Sequence, residues 1–170
     1  MAASDRKYDE FETSLLEIYE HIRSKAPRDD NPGCWDLDHY KANVHLESAT
    51  RGPPARAVYR LTVTPQMQNT LGSLHGGCAA TIIDNLTSTI LMAVSRPGMF
   101  QYGGISRNLN VTYLRPLPLD TELRLICEVV QMGRRLALTK AEMRRVDDDS
   151  LCVVGDHQKA NMDPEANQKL

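Results

Sequence analysis

Asn69-Thr70-Leu71-Gly72-Ser73-Leu74-His75-Gly76-Gly77-Cys78-Ala79-Ala80-Thr81-Ile82-Ile83-Asp84-Asn85 is the stretch on which the fold turns. It reads as a turn that opens into a helix, and the apolar, small-residue run continues to about Val94. The first N–H groups of a helix have no partner inside it and lie at the positive end of its dipole. Gly76 and Gly77 carry no side chain, so a ligand can come close to those groups. That is a cradle for a carbonyl oxygen that gains negative charge during acyl transfer. Asp84 is a lone carboxylate among Ala80, Thr81, Ser88 and Leu91. Such a group is either paired within the core or kept for chemistry. Gly76 and Asp84 are separated by about 12 Å along one helix, too far to serve one reacting carbonyl. If both act, the site is composite, with Gly76 of one subunit near Asp84 of another.

Outward from this helix the chain reads as one domain. Its 170 residues suit a single core, and its net charge of −2 disfavours a nucleic-acid surface. No apolar run reaches the length of a membrane span. Residues 9 to 25 place Phe11, Leu15, Ile18, Tyr19 and Ile22 on one helical stripe that ends at Pro27. This helix either packs on the core or covers a pocket mouth. Asn31-Pro32-Gly33 is a turn, and Trp35 is either a core anchor or a tunnel wall. Strands follow at about 42–50 and 56–64, joined by Gly52-Pro53-Pro54 as a hairpin. Pro97-Gly98 closes the central helix.

After that helix only strand signals remain. Leu109, Val111 and Tyr113 alternate with polar residues, as do Leu123, Leu125, Cys127 and Val129 with Glu122, Arg124, Ile126 and Glu128. Gly133 marks a tight turn, and 136–146 and 151–158 complete the series. The expected class is α+β, an antiparallel sheet of about six strands wrapped around one long central helix, plus an N-terminal helix. The expected division is 1–41 for the N-terminal helix and connection, 42–160 for the domain, and 161–170 for a polar tail.

Cys34, Cys78, Cys127 and Cys152 lack metal-ligand spacing and read as reduced core residues, which suits a cytoplasmic setting. The terminus Gln168-Lys169-Leu170 only loosely resembles a peroxisomal address. The five histidines show no ligand spacing, so no metal is expected, and His157 reads as structural. No Gly-x-Ser-x-Gly elbow is present, which disfavours serine-nucleophile hydrolases.

Asn69-x-x-Gly72-x-Leu74-His75-Gly76-Gly77, followed by Asp84-Asn85, resembles the hotdog-fold acyl-CoA thioesterases. It is most similar to the small single-domain eukaryotic acyl-coenzyme A thioesterases and the bacterial phenylacetate-pathway thioesterases. Ser106-Arg107-Asn108-Leu109-Asn110-Val111-Thr112-Tyr113-Leu114-Arg115-Pro116 and the turn Met132-Gly133-Arg134-Arg135 extend the resemblance over about residues 42 to 160.

The resemblance implies a hotdog fold and hydrolysis of an acyl thioester without cofactor or metal, coenzyme A being part of the substrate. It implies Asp84 as base or nucleophile and the Gly76 N–H as polariser of the carbonyl. His75 and Asn69 would lie near the same carbonyl, and Ser106 would hold the attacking water. Coenzyme A contacts map onto Asn108, Tyr113, Arg115, Gly133, Arg134, Arg135 and Lys159. Asn108 departs from the family, where an acid is frequent, so it cannot serve as a base. Arg107 is also unusual and bears on substrate preference. A homodimer is expected, paired into a dimer of dimers by analogy. The competing expectations are a hydrolase of carrier-protein-bound thioesters and a non-catalytic acyl-thioester or lipid-binding protein.

Overall fold

The computed structural model describes residues 6–24 and 44–164. Trp35, Cys34, the turn at Asn31-Pro32-Gly33, Pro27 and the terminal Gln168-Lys169-Leu170 lie outside the described residues.

Helix α1 spans Glu10–Arg23 and begins with a reciprocal cap. Asp9 accepts from the Glu12 N–H at 2.8 Å, while Glu12 accepts from the Asp9 N–H at 3.2 Å. Strands β1 (His45–Thr50) and β2 (Arg56–Thr62) form the expected hairpin. Helix α2 runs Gly76–Ala93. Strands β3 (Ile105–Tyr113), β4 (Glu122–Met132), β5 (Leu136–Arg145) and β6 (Leu151–Ala160) follow. All six strands belong to one antiparallel sheet in the order β1-β2-β4-β5-β6-β3.

The core lies between α2 and the sheet. Ile82, Ile83, Leu86, Ile90 and Leu91 of α2 are fully buried, as are Leu123, Leu125 and Cys127 of β4. The β4 alternation is therefore what the sequence suggests, with its other face turned outward. Helix α1 buries Phe11, Leu15 and Tyr19 and packs on α2 and β1. Gly155 on β6 is set by α2, because a Cβ there would meet Ile83 carbons at 3.1 Å. Its bare backbone lets the helix settle onto the centre of the sheet.

Two strands depart from simple alternation. On β2, Val58 is buried along with Ala57, Tyr59 and Leu61. On β3, Leu109 and Val111 are only half-buried and Tyr113 is exposed. The reason is position: β3 is the edge of the sheet, and among the described residues no strand lies beyond it.

Candidate active site

Asp84 lies midway along α2 and faces the paired strands β3 and β6. Its Oδ1 is 2.5 Å from Ser106 Oγ and 3.0 Å from His157 Nε2. His157 is fully buried, and its Nε2 also lies 3.0 Å from Ser106 Oγ. Its Nδ1 is 2.7 Å from Thr87 Oγ1, one turn along α2 from Asp84. Thr87 Oγ1 also lies 2.7 Å from the Ile83 carbonyl, so its single hydrogen serves either that carbonyl or Nδ1. Lys159 Nζ donates to Ser88 Oγ at 2.8 Å and to Ser106 Oγ at 3.3 Å.

Burial pushes the Asp84 carboxyl up, but the bonds from His157 and Ser106 and the charge of Lys159 outweigh it. The net result is a value of about 2, so Asp84 is an anion at neutral pH. Its side chain is 34% exposed, which leaves it open to a substrate.

The register of β3 determines which residue meets Asp84. Ser106 pairs with Lys159 and Asn108 pairs with Gln158, so Arg107 is a bulged residue between them. An unbulged strand would set Arg107, not Ser106, opposite buried Lys159. With the bulge, Ser106 shares the inward face with His157 and Lys159. Arg107 lines a cavity on the other face with Gln158, Leu136 and Leu138. Asn108 is exposed and in register with exposed Gln158 on that outward side, away from Asp84.

The start of α2 forms a second locus. His75 is the N-cap, and its Nδ1 accepts from the Gly77 N–H at 3.0 Å. The Gly76 N–H has no hydrogen-bond partner among the described residues. Tyr113 donates from its hydroxyl to the Gly76 carbonyl at 2.7 Å, and its ring lies over the glycine. A Cβ at Gly76 would stand 3.2 Å from Tyr113 Cζ. Asn69 Oδ1 accepts from the N–H groups of Leu71 and Ser73, which fixes the preceding turn. Asn69, Gly76, Tyr113 and Arg115 line one cavity of about 400 Å³, with Leu71, Leu74 and Leu117 among its apolar walls.

The remaining expected contacts are dispersed. Arg115, in the segment after β3, is exposed and donates to the carbonyl of Leu151, at the start of β6, at 2.7 Å. Gly133, Arg134 and Arg135 form the β4–β5 turn, near the far end of β6, where the Asn161 N–H donates to the Arg135 carbonyl. The two ends of β6 are about 30 Å apart at about 3.3 Å per residue. Lys159, a coenzyme A contact by the resemblance, is placed beside the Asp84 cluster. It is 3% exposed, because it lies on the inward face of β6 two residues from His157.

The sequence reading missed His157, Thr87 and Ser88 as members of the cluster. A signal was present: His157 and Lys159 share strand parity with Gly155 and Val153, all on the inward face.

Among the described residues no helix is long and apolar enough to cross a membrane. The family model described as the Thioesterase superfamily matches residues 71–152. Mouse acyl-coenzyme A thioesterase 13 is 28% identical over 123 residues, which are 72% of this chain and 83% of the relative. The human protein of that name is 28% identical over 106 residues, 62% of this chain and 73% of the relative. The crystal structure of zebrafish thioesterase superfamily member 2 aligns with a TM-score of 0.70 at 25% identity. That alignment covers 88% of this chain and 96% of the zebrafish chain.

Proposed function

Since residues 71–152 match the Thioesterase superfamily and the chain has the hotdog fold of the solved thioesterases it resembles, we propose that it is a thioester hydrolase that cleaves acyl-CoA to a carboxylic acid and free CoA. The observation that carries this reading is Asp84. It is an ionised carboxylate, open to substrate, with Ser106 and His157 on one of its oxygens. Water adds to the thioester carbon as Asp84 takes its proton. The carbonyl oxygen gains charge against the unpartnered Gly76 N–H. Collapse of the adduct breaks the C–S bond, and the thiolate leaves as CoA. A carboxyl near 2 is a weak base in the open site, but desolvation by a bound acyl group acts to strengthen it.

The two loci belong to different subunits in this proposal. Within one chain, Asp84 is beside Ser106 near one end of β3, and Gly76 is beside Tyr113 at the other. Ser106 and Tyr113 are about 23 Å apart along an extended strand. Strand β3 is a sheet edge that exposes Ile105 by 55% and Tyr113 by 53%. Antiparallel pairing of β3 with a second copy, centred near Leu109 and Asn110, sets Tyr113 and Gly76 beside Ser106 and Asp84 of the partner subunit. The same two-fold brings Arg115 toward Arg134 and Arg135 of the partner subunit, so both cationic ends serve one coenzyme A. The free thiols of Cys78, Cys127 and Cys152 favour a reducing compartment, the cytoplasm.

The test is thiol release from short, long and aromatic acyl-CoAs by the native protein and Asp84→Asn, with native mass measured on both. Turnover that falls at least about a hundredfold in an intact Asp84→Asn dimer supports the reading. No turnover of any CoA ester by the native protein, or full turnover by the variant, overturns it.

A further inference from the structure

The lysine next to the anionic carboxylate has a use beyond packing. Lys159 is 3% exposed, in a region where a lysine is rarely found without a partner. Its ammonium makes no direct ion pair with Asp84. Instead it donates to Ser88 Oγ of α2 and to Ser106 Oγ of β3, and Ser106 in turn donates to Asp84. An ammonium has only donors to offer. Ser106 must therefore accept from Lys159, and its own hydrogen is directed away from Nζ, toward the carboxylate. Among the described residues the other titratable group that faces Asp84 is His157 of β6, while Arg107 lies on the outer face of the sheet.

Resting on the thioesterase reading, we propose that Lys159 is a positioning residue for Asp84. It fixes the direction of the Ser106 hydroxyl, and it keeps the carboxylate ionised as an apolar acyl group displaces water from it. Without this cation, closure of substrate over Asp84 drives the carboxyl to take a proton. Burial lowers the pKa of Lys159, and the Asp84 charge works against that, so the two groups sustain each other's charged forms. The cost of holding an ammonium away from water is met by its two hydroxyl acceptors and by Asp84.

The experiment compares Lys159→Met, Lys159→Arg and Ser88→Ala with the native protein, after thermal melts establish that each is folded. The pH dependence of kcat/KM and the separate kcat and KM for one acyl-CoA are measured. In Lys159→Met the acidic limb rises by about one to three pH units, and kcat falls at least about tenfold while KM stays within about twofold. Lys159→Arg returns the limb toward the native position. If Met is not tolerated, Ser88→Ala carries the test: it removes the shorter Nζ bond, and kcat falls at constant KM. An unmoved limb, or a raised KM at constant kcat, overturns the proposal and makes Lys159 a substrate contact. The side-chain carboxyl of Asp84 is also titrated by carbon NMR in native protein and Lys159→Met, which needs no turnover. If the native protein cleaves no thioester yet Asp84 titrates higher in the variant, the thioesterase reading fails and the Lys159–Asp84 coupling stands. If Asp84 titrates alike in both, the coupling fails whatever the activity.

Discussion

Gly76→Ala separates the chemistry of the helix start from its stability. A Cβ at this position would stand 3.2 Å from Tyr113 Cζ, 3.3 Å from its Oη and 3.4 Å from Cε1. These are tight contacts, and the ring, 53% exposed within one chain, must swing aside to relieve them. The swing breaks the Tyr113 bond to the Gly76 carbonyl, a loss of about 1 kcal/mol for a hydrogen bond at the surface. Alanine in place of glycine at a helical position returns about 0.5–1 kcal/mol, since the unfolded chain has less freedom to lose. The two nearly cancel, so stability to urea should change by less than about 1 kcal/mol. Activity should not survive so well. The methyl group and the displaced ring both enter the cavity that Asn69, Gly76 and Arg115 line, and they shift a bound carbonyl by about 1 Å. A shift of that size, or the loss of one oxyanion donor, costs about a hundredfold in rate. Urea melts and thiol release on the same preparation check both halves. A stability loss above about 2 kcal/mol would show that the glycine is structural. Turnover within tenfold of native would show that no carbonyl approaches this N–H.

Acid should weaken the fold through Asp84. Its folded value lies below the ordinary 3.8, so its contribution is complete above about pH 4 and fades as pH falls toward 2. The difference corresponds to about 2.4 kcal/mol at face value, reduced by solvent screening to about 1 kcal/mol for a side chain 34% exposed; urea melts at pH 4.5 and 3.0 should show this slope in native protein and not in Asp84→Asn. Gly104→Ala should lower stability by about 3 kcal/mol, since φ is +66° and the new Cβ would fall 2.5 Å from the Ala160 carbonyl and 2.9 Å from the buried Phe100 ring. Gly103→Ala is the control, with φ of +72° but contacts no closer than 3.4 Å, and should cost only about 1 kcal/mol in the same melts.

Some of this molecule was legible in the chain and some was not. The central helix announced itself by its small apolar run and its glycine start, and β4 by four apolar residues at alternate positions, Leu123, Leu125, Cys127 and Val129, because both signals are local. β3 has the same alternation, yet Tyr113 is half exposed. Alternation reports that a strand has two faces, not whether another strand lies beside it. Asp84 stood out as a carboxylate without a charged neighbour. His157 and Lys159 did not, because their side-chain partners lie 51 or more positions away and are reached only through the sheet register. Arg115, Arg134 and Arg135 read in the chain as separate cations, and sequence separation gives no hint that they lie by opposite ends of β6.

The bulge in β3 has a consequence for how this protein can change. From Ser106 to Leu109 the chain takes three steps, while its partner takes two from Lys159 to His157. An odd count has been reconciled with an even one, and the surplus falls at Arg107. That residue is supernumerary: parity assigns Ser106 to the side of the sheet that faces α2 whatever side chain stands at 107. Mutation there can redraw the outer face, and the roughly 290 Å³ hollow beside it, without disturbing the serine next to the carboxylate. A lineage could thus explore new surface chemistry a few ångströms from its site while the site itself holds still.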